Sequence, residues 1–89
     1  MSRVITPPDT DFTSTTPSIL VINATETDVE LLALYLKQLF IDVDVYLYRD
    51  EFDNAKWTFT VSSSVDKVFS CPEDTIQNIV GYLQELNGK

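Results

Sequence analysis

Few side chains in this chain are of the kinds that do chemistry, and the densest group of them is Asp50, Glu51, Asp53 and Asn54. Three carboxylates and an amide so close together offer the hard oxygen ligands that Ca²⁺ and Mg²⁺ take. The rest of a calcium loop is missing, since neither a D-x-D-x-D-G run nor its distant glutamate is present. Asp and Asn also gather in turns because their side chains bond the local backbone. A turn is therefore expected here, and no metal. Asp42 and Asp44 come next, as a carboxylate pair on one side of an extended segment. Acid–base work by such a pair needs a pocket that drives the two pKa values apart, and a strand face open to water supplies none. Cys71 stands at the start of a predicted helix, whose dipole can lower a thiol pKa. Glu73 and Asp74 oppose a thiolate there, and a chain with one cysteine has no C-x-x-C pair. Cys71 reads as a small packing or capping residue.

What is absent narrows the field further. The chain has no histidine, which removes histidine triads, histidine acid–base catalysis and most zinc chemistry. Its two glycines are Gly81 and Gly88, far from any strand-to-helix loop, so no glycine-rich phosphate cradle exists. These gaps lead to the expectation of a non-enzyme with no cofactor. A net charge of −8 argues against binding a phosphate backbone, which needs clustered Lys and Arg. No apolar run approaches the roughly 20 residues that span a bilayer, and residues 1–17 lack the apolar core of a secretory signal. A cytoplasmic location is the expectation.

The elements that must position these side chains are organised around Ser18–Asp50. Ile19, Leu20, Val21 and Ile22 form an unbroken apolar run with three β-branched members, the mark of a strand buried on both faces. Thr25 followed by Asp28 fits a capping box, with Thr27 and Glu30 as a second register. In the helix that follows, Val29, Leu32, Leu36 and Leu39 make one stripe, widened by Ala33 and Phe40. Leu31, Leu34 and Tyr35 fall outside it, so most of the circumference is apolar, unlike the single stripe of an ordinary surface helix. From Ile41 to Asp50 the pattern alternates: Ile41, Val43, Val45 and Leu47 on one side, Asp42, Asp44, Tyr46 and Tyr48 on the other.

Trp57, Phe59 and Val61 alternate with Lys56, Thr58, Thr60 and Ser62, which predicts a third strand in an antiparallel hairpin with the second. Val65–Ser70 reads as a short fourth strand. Pro72 with Glu73 and Asp74 predicts a helix start, and Ile76, Ile79, Val80, Leu83 and Leu86 continue the helical period. The expected architecture is an α/β (α+β) two-layer sandwich of order β-α-β-β-β-α, a mixed four-stranded sheet with both helices on one face. Residues 1–17, rich in Thr, Ser and Pro, read as a flexible tail, with Val4, Ile5 and Phe12 as the residues that would dock it; residues 18–89 form a single small domain.

That arrangement leaves a sheet face bearing Asp42, Asp44, Tyr46, Tyr48, Thr58 and Thr60 open for contact with another protein, as interfaces enrich tyrosine. Leu31, Leu34 and Tyr35 predict a homodimer, since a core of this size is marginal. The functional expectation is a small acidic regulatory or adaptor protein; the alternative is an acidic nucleic-acid mimic that inhibits a DNA- or RNA-binding protein. ILVINATETDVELLALYL resembles the start of a response-regulator receiver domain, but Asn23 and Ala24 stand where receivers carry acids. The element order also resembles a shortened thioredoxin-like fold without a redox cysteine pair, and its αβββα portion a double-stranded RNA-binding domain without the basic residues. No function is carried over from these.

Overall fold

The computed structural model describes residues 3–9, 16–71 and 73–87. Four strands form one sheet: β1 (Arg3–Ile5), β2 (Ser18–Ile22), β3 (Asp44–Tyr48) and β4 (Lys67–Ser70). Three helices alternate with them: α1 (Glu26–Gln38), α2 (Ala55–Ser62) and α3 (Ile76–Asn87), with a 3₁₀ turn at Asp50–Phe52. The strand order is β1-β3-β2-β4 and every pairing is parallel.

The sheet is covered on both faces, and the period of two in its central strands explains how. Ile19 and Val21 of β2 and Val45 and Leu47 of β3 pack with Leu32 and Leu36 of α1 and Ile76, Ile79, Val80 and Leu83 of α3. The alternate residues, Leu20 and Tyr46, join Ile5 of β1 and Trp57 and Val61 of α2 on the other face. The chain thus crosses from β2 to β3 over one face and from β3 back past β2 to β4 over the other. Reversing both direction and face keeps the two crossovers of one hand, as parallel βαβ units require.

Three expectations are corrected. The sheet is parallel instead of mixed, α1 and α3 share a face but α2 lies opposite, and Lys56–Ser62 is helix instead of strand. The last reversal has a local cause. Trp57 and Val61 are four apart, so they point the same way from a helix as readily as residues two apart do from a strand. Asn54 starts that helix by accepting from the Trp57 N–H at 3.1 Å. Thr58, Thr60, Ser63 and Ser64, which favour strands and turns, donate their hydroxyls to carbonyls four residues back. Phe59, the middle member of the apparent alternation, is left exposed.

Arg3–Ile5, placed by the sequence in a solvated tail, is the edge strand, with Ile5 buried opposite Tyr46. Its anchor is ionic. Arg3 lies in register with Asp44, and its guanidinium donates from Nε to Oδ1 at 3.1 Å and from Nη2 to Oδ2 at 3.0 Å. The Trp57 Nε1–H donates to the Asp9 carbonyl at 2.8 Å and holds the following turn over α2. Phe12 lies outside the described residues.

Helix boundaries follow from their caps. Thr25 and Asp28 form the expected capping box, Thr25 Oγ1 accepting from Asp28 N–H and Asp28 Oδ2 accepting from Thr25 N–H. At the other end the Ile41 N–H donates to Leu36 O and the Phe40 N–H to Lys37 O, the paired bonds of a Schellman stop. Phe40 holds the left-handed position there, φ 55°, where glycine is usual. The last helix begins later than the Pro72 signal suggested: Thr75 Oγ1 accepts from Asn78 N–H, while Asp74 turns back to the Ser70 N–H.

Candidate functional site

In an open parallel sheet, ligands sit outside the carboxyl ends of the strands, where successive connections leave in opposite directions. Here that point lies between β2 and β3, whose connections run through α1 on one face and α2 on the other. The loops around it are residues 23–25 after β2 and residues 49–54 after β3. Asn23 takes a left-handed conformation, φ 62°, its N–H donates to the Tyr48 carbonyl, and its Oδ1 accepts from the Asp50 N–H at 3.2 Å. Asn23 therefore ties two loops together.

A phosphate does not suit this place. Of the first N–H groups of α1, which would hold an anion, that of Asp28 is taken by Thr25 Oγ1, and the Asp28 and Glu26 carboxylates add negative charge to the same turn. Nor does the loop contain a glycine that would let backbone approach a ligand closely. The nearby cation is already engaged. Arg49 Nε lies 2.9 Å from Glu51, at an angle that leaves its N–H without a hydrogen bond, and a guanidinium nitrogen stands 3.9 Å from Glu26. The guanidinium carbon sits 5.3 Å from the centre of the Phe52 ring.

On the face that carries both α1 and α3, a groove of about 280 Å³ is lined by α1, residues 71, 74 and 75 and the first turn of α3. Leu31, Tyr35, Cys71 and Ile76 give it an apolar lining, and Asp28, Asp74, Thr75 and Gln77 a polar one. The Cys71 thiol donates to the Asp74 carbonyl at 3.4 Å. Burial pushes its pKa up, and the charges of Asp28 and Asp74 push it further. A thiol held protonated is a poor nucleophile. Cys71 is part of the wall of the groove.

Leu31, in the lining of the groove, also belongs to an exposed apolar group on α1. Leu31 is 42% exposed and Leu34 49%, Leu39 follows at the helix end, and Phe40 stands 89% exposed. These are four of the seven large apolar side chains that the described residues leave exposed; Val4, Phe59 and Val68 are scattered over other elements. Single exposed apolar residues are ordinary; these four stand on one helix and its C-terminal cap.

The residues expected to make a sheet-face contact are dispersed. Asp44 is 3% exposed and bonded to Arg3, and Tyr46 is 1% exposed against the tilted Trp57 ring. Tyr48 is half-buried, stacked on Trp57 and edge-on to Phe52, its hydroxyl accepting from the Asn54 N–H. Asp42 is exposed below the sheet, and Thr58 and Thr60 lie on α2, bonded to its carbonyls. The open tyrosine face is thus corrected: α2 occupies it. Leu31, Leu34 and Tyr35 do lie together, Leu31 and Tyr35 in the groove wall. Sequence reasoning missed Phe40 as a surface residue and Asp28 and Asp74 as groove residues, having assigned all three to a helix stripe or its caps. The Schellman stop was the findable signal, since Phe40 directly precedes the first residue of the next alternating run.

Asp50, Asp53 and Asn54 have backbone duties: Asp53 is a left-handed cap, φ 46°, and Asn54 starts α2. Among the described residues, no three His, Cys, Asp or Glu side chains are placed to share a metal ion. Among them, too, no helix is long and apolar enough to cross a membrane. Compared with known proteins, the chain matches no family model, no curated protein and no solved structure.

Proposed function

We propose that this chain acts by protein–protein contact, as a non-enzymatic regulatory or adaptor module whose working surface is the outer side of α1 and the groove beside α3. The observation that carries the reading is the concentration of exposed apolar side chains on that one helix, from Leu31 to Phe40. Phe40 adds weight, because a bulky residue keeps a left-handed position that glycine would fill without strain. A partner that covers the ring is a reason to hold it there. The surface expected from sequence moves from sheet to helix, while the kind of function stays the same.

A nucleic-acid mimic is less well supported. A mimic sets carboxylates in rows, and the acids around the carboxyl ends of the strands are broken up by Arg49, which pairs with Glu51 and Glu26. Self-association through Leu31, Leu34 and Tyr35 remains a form of the same contact.

The test is the double variant Leu31→Asp/Leu34→Asp. Both positions are exposed, so circular dichroism and urea midpoint should stay near those of the unaltered chain. Chemical crosslinking in extract from the native host should then lose the partner bands that the unaltered chain gives. Bands of equal strength from a folded double variant would defeat the reading.

A further inference from the structure

Resting on that reading, we infer that the occupant of the α1–α3 groove is a basic amphipathic segment of another protein, apolar on one side and bearing Lys or Arg on its flanks. The apolar part follows from the lining, Leu31, Tyr35, Cys71 and Ile76, with Leu34 continuing it outward. The basic part follows from charge. Asp28 and Asp74 both line the groove, no described cation does, and the chain as a whole carries −8. Each carboxylate also accepts a backbone N–H, from Thr25 and from Ser70, so both are fixed in place without a cationic partner in those bonds. Their common field reaches the Cys71 thiol in the groove wall, whose pKa both raise.

The same arrangement speaks against a second copy. A twofold dimer brings one patch against itself, which would set Asp28 and Asp74 of each protomer near those of its partner. Like charges brought together at an interface repel, and such contacts exclude partners as effectively as good ones select them. A basic segment instead gains from both acids. The segment is taken as a helix, since an amphipathic helix laying its apolar face into a groove is a recurrent mode of recognition.

The experiment is selection from a displayed library of amphipathic helices with leucine fixed along one face and Lys or Glu encoded at each flanking position. The target is the whole chain, beside three variants: Asp28→Asn/Asp74→Asn, Leu31→Asp/Leu34→Asp, and Leu34→Asp alone. Asparagine keeps the oxygen that accepts the N–H bonds, so the first variant removes charge and leaves the caps. The expected result is enrichment of Lys at the flanks. A synthetic peptide of the enriched sequence should bind the asparagine variant roughly fivefold more weakly, the size set by two rim ion pairs. Enrichment without a charge preference, abolished by the two aspartates, would overturn the basic partner and leave the contact surface standing. Enrichment indifferent to those aspartates, or none above an unrelated control protein, would overturn both. A dimer in sedimentation that Leu34→Asp dissolves would assign the surface to a second copy and overturn this inference alone.

Discussion

Arg3→Ala is the perturbation that asks most of the fold. It removes both guanidinium bonds from Asp44, at 3.1 and 3.0 Å, and leaves a carboxylate that is 3% exposed. Breaking a fully buried pair costs about 3–5 kcal/mol, against about 0–1 for a pair in water. This pair lies between those limits, because the Arg3 side chain is 44% exposed and water can enter the space it leaves. A loss of about 2 kcal/mol is expected, which lowers Tm by roughly 10 °C in a domain this small. Urea unfolding followed by Trp57 fluorescence measures it, since Trp57 is the single tryptophan and packs on the same face. Asp44→Asn should cost less, because it leaves the half-exposed Arg3 free to meet solvent. The double variant closes a cycle whose coupling is expected at about 1–2 kcal/mol. If Arg3→Ala stays within about 0.5 kcal/mol of the unaltered chain, or the two single losses merely add, the ion pair is not the anchor of β1.

Gly81→Ala should stabilise by about 1 kcal/mol, as helix propensity alone dictates, because a Cβ at Gly81 meets nothing within 4 Å; an unchanged or lower urea midpoint would contradict this. Phe40→Gly should also raise the midpoint, by roughly 0.5–1 kcal/mol, relief of left-handed strain outweighing the added freedom of the unfolded chain, and should weaken partner binding in the same protein. Alkylation of Cys71 by iodoacetamide should run slower than that of a free thiol at mildly alkaline pH, with its rate still climbing where the free thiol has levelled off; rate–pH profiles that coincide would refute it. The sign for stability follows. A folded-state pKa above the unfolded one gives a contribution fully present at neutral pH that declines as pH rises through the thiol's ordinary range. Cys71→Ser should flatten that decline.

The elements whose signals are local were legible in the sequence. The Thr25–Asp28 box, the apolar run of β2 and the period of α3 all rest on neighbours within a turn or two, and each stands where the pattern puts it. Alternation in β3 was read correctly, but its second face was assigned to water on the strength of Asp42 and Asp44. Nothing near Asp44 in the sequence announces that its partner is Arg3, 41 residues away. The misreading of Lys56–Ser62 is of a different kind: three apolar residues two apart satisfy either period when only the outer two are buried. From that error the rest followed, because a strand in that place makes a hairpin and a hairpin makes the sheet mixed. The groove was illegible for a further reason. Leu31 and Tyr35 were visible as surplus apolar residues on α1, but their opposite wall comes from Cys71 and Ile76, and only the parallel crossover to β4 brings these alongside.

The pairing of β1 with β3 also sets an order of events during synthesis. β1 leaves the ribosome before β3 exists, and its register runs from Arg3 with Asp44 to Ile5 with Tyr46. Until those residues emerge it has no ladder to join, and Ile5 and Arg3 must stay solvated while β2 and α1 are made. Closing so long a loop gains nothing until the far contact forms, which is what slows parallel pairings. The edge strand is therefore expected to dock last, onto a β2-α1-β3 unit already in place. A nascent chain arrested before β3 clears the exit tunnel should leave Ile5 open to protease, and one arrested after α3 has cleared it should not.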